Sequence, residues 1–366
     1  MRILHISSAK TFGGGEKHLV DLCRGLTLQG NDVFVAIRPT CEWRERLSFL
    51  PPENILTVSI RNSFGLLSSK KIASFVRANA IQVIHAHLGR DYITASIVTR
   101  LSSEVRCVLT RHVLFPLKSF NRFVLSNVDR VIAVTEDVRR SLSGVFETRK
   151  VRVIYNGSPS VPKAPDERKS ARRTVRERLG LADDQLVIGV VGSISEIKGQ
   201  DLALEALGKV SDSRSLRLVV VGRPDAPHDP FATRLDSAIA SSSRRDDILC
   251  LDRDENIEEL ICGFDVLLSP SRSESFGLVI LEAMLAGIPV VATPTRGASF
   301  LLNRGECGFI ADSFEPSSIA ESIDNCLRHE PQREIKVGNA VRRATDLFSL
   351  KRMIEKTESL YRELVG

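Results

Sequence analysis

The chain has 366 residues, 43% apolar and 26% charged, which allows two ordinary domains with separate cores and excludes a disordered or fibrous chain. Residues 1–157 hold 23 Lys and Arg against 12 Asp and Glu, while the remainder holds 28 against 33. The first half is therefore suited to an anionic partner such as a membrane surface or lipid phosphate, and the lack of aromatic interleaving or a nucleic-acid motif argues against DNA and RNA. No segment approaches the roughly 18 apolar residues of a membrane span, the start lacks the length of a signal peptide, and seven scattered cysteines without CxxC spacing read as reduced thiols in a cytosol.

Arg2–Ser7 reads as a strand and residues 16–28 as the helix after it, with Leu19, Leu22, Cys23 and Leu26 on one face and Gly30 ending it. Further strands are predicted at 33–37, 81–87, 106–110, 130–134 and 151–157. Short apolar strands joined by amphipathic helices imply a parallel sheet covered on both faces. Residues 158–185 break this rhythm with Pro159, Pro162, Pro165 and a charged run over 166–178, read as a hinge and a solvated helix. A second alternating block begins at 186–192 and continues through 216–222, 248–251, 266–269 and 289–293. The last helix, 350–364, offers Met353, Ile354, Leu360, Tyr361 and Leu364 as a packing face. The predicted class is α/β, with two doubly wound domains facing a cleft. They span 1–160 and 161–348, and a C-terminal helix at 349–366 packs back towards the first.

Four features converge on a ligand that carries a diphosphate. Phe12-Gly13-Gly14-Gly15-Glu16 lies between the first strand and first helix, where glycines admit a phosphate to the backbone and the helix start adds partial positive charge. A plain turn that needs positive φ gives the same pattern, and the spacing is not GxGxxG. Gly192-Ser193-Ile194-Ser195-Glu196-Ile197-Lys198-Gly199 follows the first strand of the second block, so Lys198 is placed to reach a diphosphate at the sheet's carboxyl edge. Val219-Val220-Val221-Gly222 ends a strand where a base or ribose fits, or is a simple strand-ending turn. The fourth feature is Glu274 and Glu282, with Ser271 and Gly277. Glu274 precedes a helix and Glu282 is expected two turns into it, up to about 12 Å away along the axis. Two acids flanking the free N–H groups of a helix start suit a nucleotide diphosphate sugar, with hydroxyls at its ends and an anion between them.

In this order Gly13-Gly14-Gly15-Glu16, Ile154-Tyr155-Asn156-Gly157, Gly192…Lys198-Gly199, Gly222 and Glu274…Glu282 resemble the GT-B glycosyltransferases. The run from Glu282 to Thr293 looks like the retaining glycosyltransferase family 4, the group 1 glycosyl transferases, and the resemblance extends from residue 1 to about 350. It implies that Glu282 holds the ribose hydroxyls, Glu274 contacts the donor sugar and Lys198 neutralises the leaving diphosphate. Backbone N–H groups near Phe276, Gly277, Leu278 and Val279 would bind phosphate and sugar, with Ser193 and Gly222 also on the donor side. Gly14 and Gly15 would close over the donor from the opposite domain. His112 matches a histidine that lines the sugar pocket, and Lys198, Glu274 and His112 are the catalytic candidates. Glu16 and His87 are the weaker, acceptor-side candidates.

Two departures stand out. The family commonly has Arg at the position of Ser193, and without it leaving-group stabilisation weakens unless Arg223, Arg272 or Arg296 substitutes. Gly297-Ala298-Ser299-Phe300-Leu301 stands where a Gly-Gly-x-x-Glu is often found.

The activity expected from the resemblance is transfer of a hexose from a nucleotide diphosphate sugar, UDP favoured, with retained configuration. Expected acceptors are an envelope glycan or a lipid-linked precursor of lipopolysaccharide or exopolysaccharide. No cofactor and no metal are expected, on the premise that no Asp-x-Asp triplet holds the diphosphate through a metal. The expected location is cytoplasmic, with peripheral contact at the inner face of an anionic membrane. There the segment from Phe115 to Leu125, read as a helix, mixes aromatics with cations. The rival readings are a nucleotide-sugar epimerase of the same fold and a non-catalytic nucleotide-sugar-binding module. A dinucleotide oxidoreductase is disfavoured by the glycine spacing.

Overall fold

The computed structural model describes every residue except 61–64, 103, 212–214, 225, 227 and 253–255. The chain divides into two compact units, Met1–Pro159 with Ser349–Gly366, and Ser160–Phe348.

In the first unit β1 (Arg2–Ser7), β2 (Asp32–Ile37), β3 (Ile55–Thr57), β4 (Val83–Ala86), β5 (Arg106–Arg111), β6 (Arg130–Ala133) and β7 (Val151–Val153) form one sheet. Its order is β3-β2-β1-β4-β5-β6-β7, and the pairs are parallel. The central strands are buried along almost their whole length, because helices cover both faces. The chain winds one way from β1 and the other way from β4, so the β1/β4 carboxyl edge is the switch point where such sheets take ligands.

The helix Leu350–Val365 belongs to this unit. Ser349 caps it by accepting the Arg352 N–H, and Met353, Ile354, Leu360 and Tyr361 are buried in the first unit's core with Leu19, Leu22 and Leu26. Burying each of these aliphatic side chains stabilises the fold by about 1.5–3 kcal/mol. Asn31 donates to Glu358 at 2.8 Å, and the Tyr361 hydroxyl lies 2.5 Å from His85 Nδ1.

The second unit is a six-stranded sheet of β8 (Leu186–Val191), β9 (Leu216–Val221), β10 (Ile248–Leu251), β11 (Val266–Ser269), β12 (Val290–Ala292) and β13 (Phe309–Ile310). Its order is β10-β9-β8-β11-β12-β13, with the switch point at β8/β11. The α/β, doubly wound reading of both halves holds. The solvated helix forms at Pro165–Leu179, with Pro at its start and Gly180 in the left-handed conformation past its end. One member of its charged run is buried. The Arg176 side chain is 1% exposed, bonded to Asp265 at 2.6 Å and to the carbonyls of Gly263, Ala182, Asp183 and Gln185.

Several boundaries differ from the sequence expectation. The first helix begins at Gly14, two residues early, so Gly14 and Gly15 occupy its first turn. The helix after β11 begins only at Leu278, because Gly277 has φ +98° and is non-helical. Glu282 therefore sits one turn in rather than two, and the 12 Å figure, which assumed helix throughout, does not apply. The segment from Phe115 to Leu125 contains a single helical turn, Asn121–Val124, with Phe115, Phe120 and Phe123 exposed.

Candidate active site

Two clusters of chemically capable side chains lie at the two switch points, one in each unit. In the second unit, β8 leads into the loop that carries Lys198 and the adjacent β11 leads into the loop that carries Glu274. Strand adjacency alone brings residues 76 positions apart into contact, and Lys198 Nζ lies 2.6 Å from Glu274 Oε2. The two side chains are 32% and 16% exposed, so the pair is shielded but reachable. Gln200 braces the first loop by donating to the Ser193 carbonyl at 2.9 Å. The second loop is braced by the Gly297 N–H, which donates to the Glu274 carbonyl at 2.9 Å, and by Phe276, which is buried edge-on against Phe348.

No side chain caps the helix Leu278–Ala286. Its first N–H groups, at Leu278 and Val279, point the positive end of the helix towards the loop that carries the ion pair. Glu282 is buried on this helix, among Ile280, Leu281 and Ala283. Gly222 ends β9 hard against the next strand end, and a Cβ there would lie 1.8 Å from the Gly192 carbonyl oxygen. Close packing therefore suffices to require that glycine.

The replacements considered for the missing arginine at Ser193 are differently placed. Arg272 is held by both Asp201 oxygens, at 2.8 and 2.7 Å, and Arg223 pairs with Asp252. The premise on metals also needs correction. Asp252-Arg253-Asp254 is an Asp-x-Asp triplet; Asp252 is committed to Arg223, and residues 253 and 254 lie outside the described residues.

In the first unit, Ser8 opens the glycine loop with its N–H donated to Asp91 at 2.9 Å, and burial pushes the Asp91 carboxyl up to about 6. Glu16 is buried and accepts the Gly13 N–H at 2.9 Å. That contact makes it a brace of the loop whatever else it does. The space beyond Gly15, where a side chain would project, is open.

His87 and His112, which follow β4 and β5, come together with three histidines that the sequence reading did not single out. His5 on β1 pairs in register with His85 on β4, and His18 projects from the first helix. Ring centroids lie 4.1 Å apart for His85 and His87, 4.7 Å for His18 and His112, and 5.3 Å for His5 and His87. Burial lowers His5 to about 3 and His18 to about 4. Burial, followed by neighbouring histidines, takes His85, His87 and His112 well below the usual value. All five are neutral near pH 7 and act there as hydrogen-bond partners or ligands, not as cations. The available signal was compositional: five of the chain's seven histidines fall within its first 112 residues.

Residues 12–159 match the family model described as Glycosyltransferase Family 4, and residues 171–343 match Glycosyl transferases group 1. A D-inositol 3-phosphate glycosyltransferase of Acidothermus cellulolyticus is 27% identical over 372 residues, spanning 88% of this chain and 80% of the relative. An N-acetyl-alpha-D-glucosaminyl L-malate synthase of Bacillus anthracis is 22% identical over 316 residues, spanning 82% and 80%. HepE of Anabaena, solved with UDP and glucose, superposes with a TM-score of 0.86 at 22% identity over 99% of each chain. With matched family models over both halves and the GT-B pair of Rossmann-like units, the chain belongs to the group 1 glycosyltransferases and is an enzyme of that family.

Proposed function

We propose that this glycosyltransferase moves a hexose from a UDP-sugar with retained configuration, holding the departing diphosphate without a metal. The observation that carries the reading is the Lys198–Glu274 pair, 2.6 Å apart, ahead of the uncapped start of the helix Leu278–Ala286. Lys198 and the helix N–H groups supply positive charge where a diphosphate gains negative charge as it leaves. Glu274 is assigned to the sugar hydroxyls, Glu282 to the ribose and the neutral His112 to a donor-sugar hydroxyl. The C1–O bond to the diphosphate breaks with its electron pair going to the phosphate oxygen. The acceptor oxygen bonds C1 on the same face and its proton passes to that phosphate oxygen. NMR of the product's anomeric centre tests this, and an inverted product would refute it. Turnover that is lost in EDTA and restored by Mg²⁺ would refute metal independence.

For the acceptor, the favoured reading is a lipid-linked or envelope glycan met at an anionic membrane surface. It is supported by Phe115, Phe120 and Phe123, which are 60%, 46% and 78% exposed beside Lys118 and Arg122, an arrangement suited to an interface. Flotation with anionic vesicles is expected to carry the protein up the gradient. Equal flotation with neutral vesicles would argue against a charge-dependent contact. A small anionic acceptor is the second reading, favoured because the names of the two relatives above specify inositol phosphate and malate and the first half is basic. Release of UDP on adding either compound, but not on adding a lipid-linked glycan, would select it.

A further inference from the structure

The histidine cluster contains more ring nitrogens than the surrounding protein satisfies. His85 is fully engaged, with Nδ1 at 2.5 Å from the Tyr361 hydroxyl and Nε2 at 2.6 Å from Thr110 Oγ1. Its neighbours are not. Nδ1 of His87 and Nε2 of His112 are buried without a hydrogen-bond partner, and the Asn156 side chain is the one polar partner shown for the buried His18 ring. Leaving such groups unmatched costs about 1–3 kcal/mol each, so their gathering at one point favours an occupant that several of them can bind together. His18, His87 and His112 can each bring one ring nitrogen within 4.8 Å of the other two.

We propose that His18, His87 and His112 form a site for a borderline transition-metal ion, with Zn²⁺ the best-fitting one. Three imidazoles with a fourth position open to water are a donor set suited to that ion, which takes nitrogen ligands at about 2.0–2.1 Å. Neutral imidazoles are in the form a metal needs, and no proton has to leave first. His5 supplies the outer support. Its Nδ1 lies 3.0 Å from His87 Nε2, so with the His87 Nε2–H donated to His5 the lone pair stays on His87 Nδ1, available to an ion. The alternative triad of His5, His85 and His87 is excluded by the two hydroxyls already on His85. Resting on the assignment of His112 to the donor sugar, the metal takes a nitrogen from the substrate, so Zn²⁺ inhibits transfer instead of supporting it.

The test is a titration of the chelator-treated, full-length protein with Co²⁺, followed by displacement with Zn²⁺ against a chromogenic chelator. One equivalent should bind, with the visible absorption of a low-symmetry Co²⁺ centre. His18→Gln and His87→Gln should each weaken binding tenfold or more. His5→Gln, which leaves the three ligands in place, should weaken it about 10–100-fold. The double variant His228→Gln/His329→Gln, at two exposed histidines of the second unit, should bind as the parent does. Absence of binding by the parent protein would overturn the proposal and leave a buried water as the occupant. So would undiminished binding by a His18→Gln variant with native circular dichroism. The titration uses no substrate, so failure of the sugar-pocket assignment would appear only as a lack of inhibition by Zn²⁺.

Discussion

Lys198→Ala offers the sharpest test of the donor half-site. The substitution removes a cation 2.6 Å from Glu274 and can act on stability, on turnover or on both. For stability, the exposures of 32% and 16% leave the pair partly solvated, so its contribution is expected near the upper end of the surface range, about 1 kcal/mol. For turnover, loss of one preorganised group that faces developing charge costs about 10²–10³ in kcat, or about 2.7–4 kcal/mol. The two effects thus differ severalfold and can be separated. UDP release from the accepted donor should fall by about 10²–10³ while the urea midpoint barely moves. Glu274→Gln, added to Lys198→Ala, then distinguishes the roles. If Lys198 only balances the Glu274 charge, the double variant is no slower than Glu274→Gln alone. If Lys198 faces the diphosphate, it is slower by a further large factor. A kcat loss below tenfold for Lys198→Ala, or a double variant no slower than Glu274→Gln alone, would refute the reasoning.

Arg176→Met leaves the Gly263 carbonyl unmatched in a buried place and removes one partner of Asp265, while the carbonyls of Ala182, Asp183 and Gln185 are part-buried and Arg172 still pairs with Asp265; it should destabilise the second unit by about 1–3 kcal/mol in urea unfolding followed by circular dichroism, and an unchanged midpoint would contradict the assigned network. Tyr361→Phe should cost about 1–3 kcal/mol by orphaning His85 Nδ1, read through the chain's single tryptophan, the buried Trp43 of the first unit. The five depressed histidines give a pH dependence with a definite sign. Below about pH 6.5 the unfolded chain takes up protons that the folded imidazoles refuse, so stability falls as pH falls, through the lowered values of about 4 for His18 and 3 for His5. Between pH 7.5 and 5.5 each imidazole that stays neutral should subtract about 1.4 kcal/mol. Asp91, raised to about 6, acts in the opposite direction. A Trp43 unfolding midpoint that is flat over this range would show that the cluster is hydrated.

Much of the fold was legible because β8 is an unbroken apolar run, and the apolar runs of β1 and β9 are interrupted only by His5 and Arg217, a pattern that suits buried parallel strands. β3 and β13 have three and two residues, too few for a periodicity to register. The Lys198–Glu274 pairing was half legible. Each residue stood at a predicted strand end, but their contact depends on β11 lying next to β8 and not beyond it, which strand order alone decides. His5 and His85 lie 80 positions apart and meet only through the register of β1 and β4. His18 joins them through the facing of a helix whose apolar stripe gives no hint of its polar contacts. The segment from Phe115 to Leu125 was expected to be a helix, whereas the chain completes only the turn Asn121–Val124 there.

The first unit is assembled from both ends of the described chain, and this sets an order on its birth at the ribosome. Residues 160–348 are synthesised between the first unit's main body and its last helix, an interval of about 10–40 s at 5–20 residues per second. Throughout it, the nascent first helix lacks the cover of Met353 and Ile354, and His85 lacks its Tyr361 hydroxyl. The second unit, continuous in sequence, can close its core while the first waits with an apolar stripe open. A chaperone that engages this chain during synthesis is therefore expected to hold the earlier-made half, and to release it once residues 349–366 arrive.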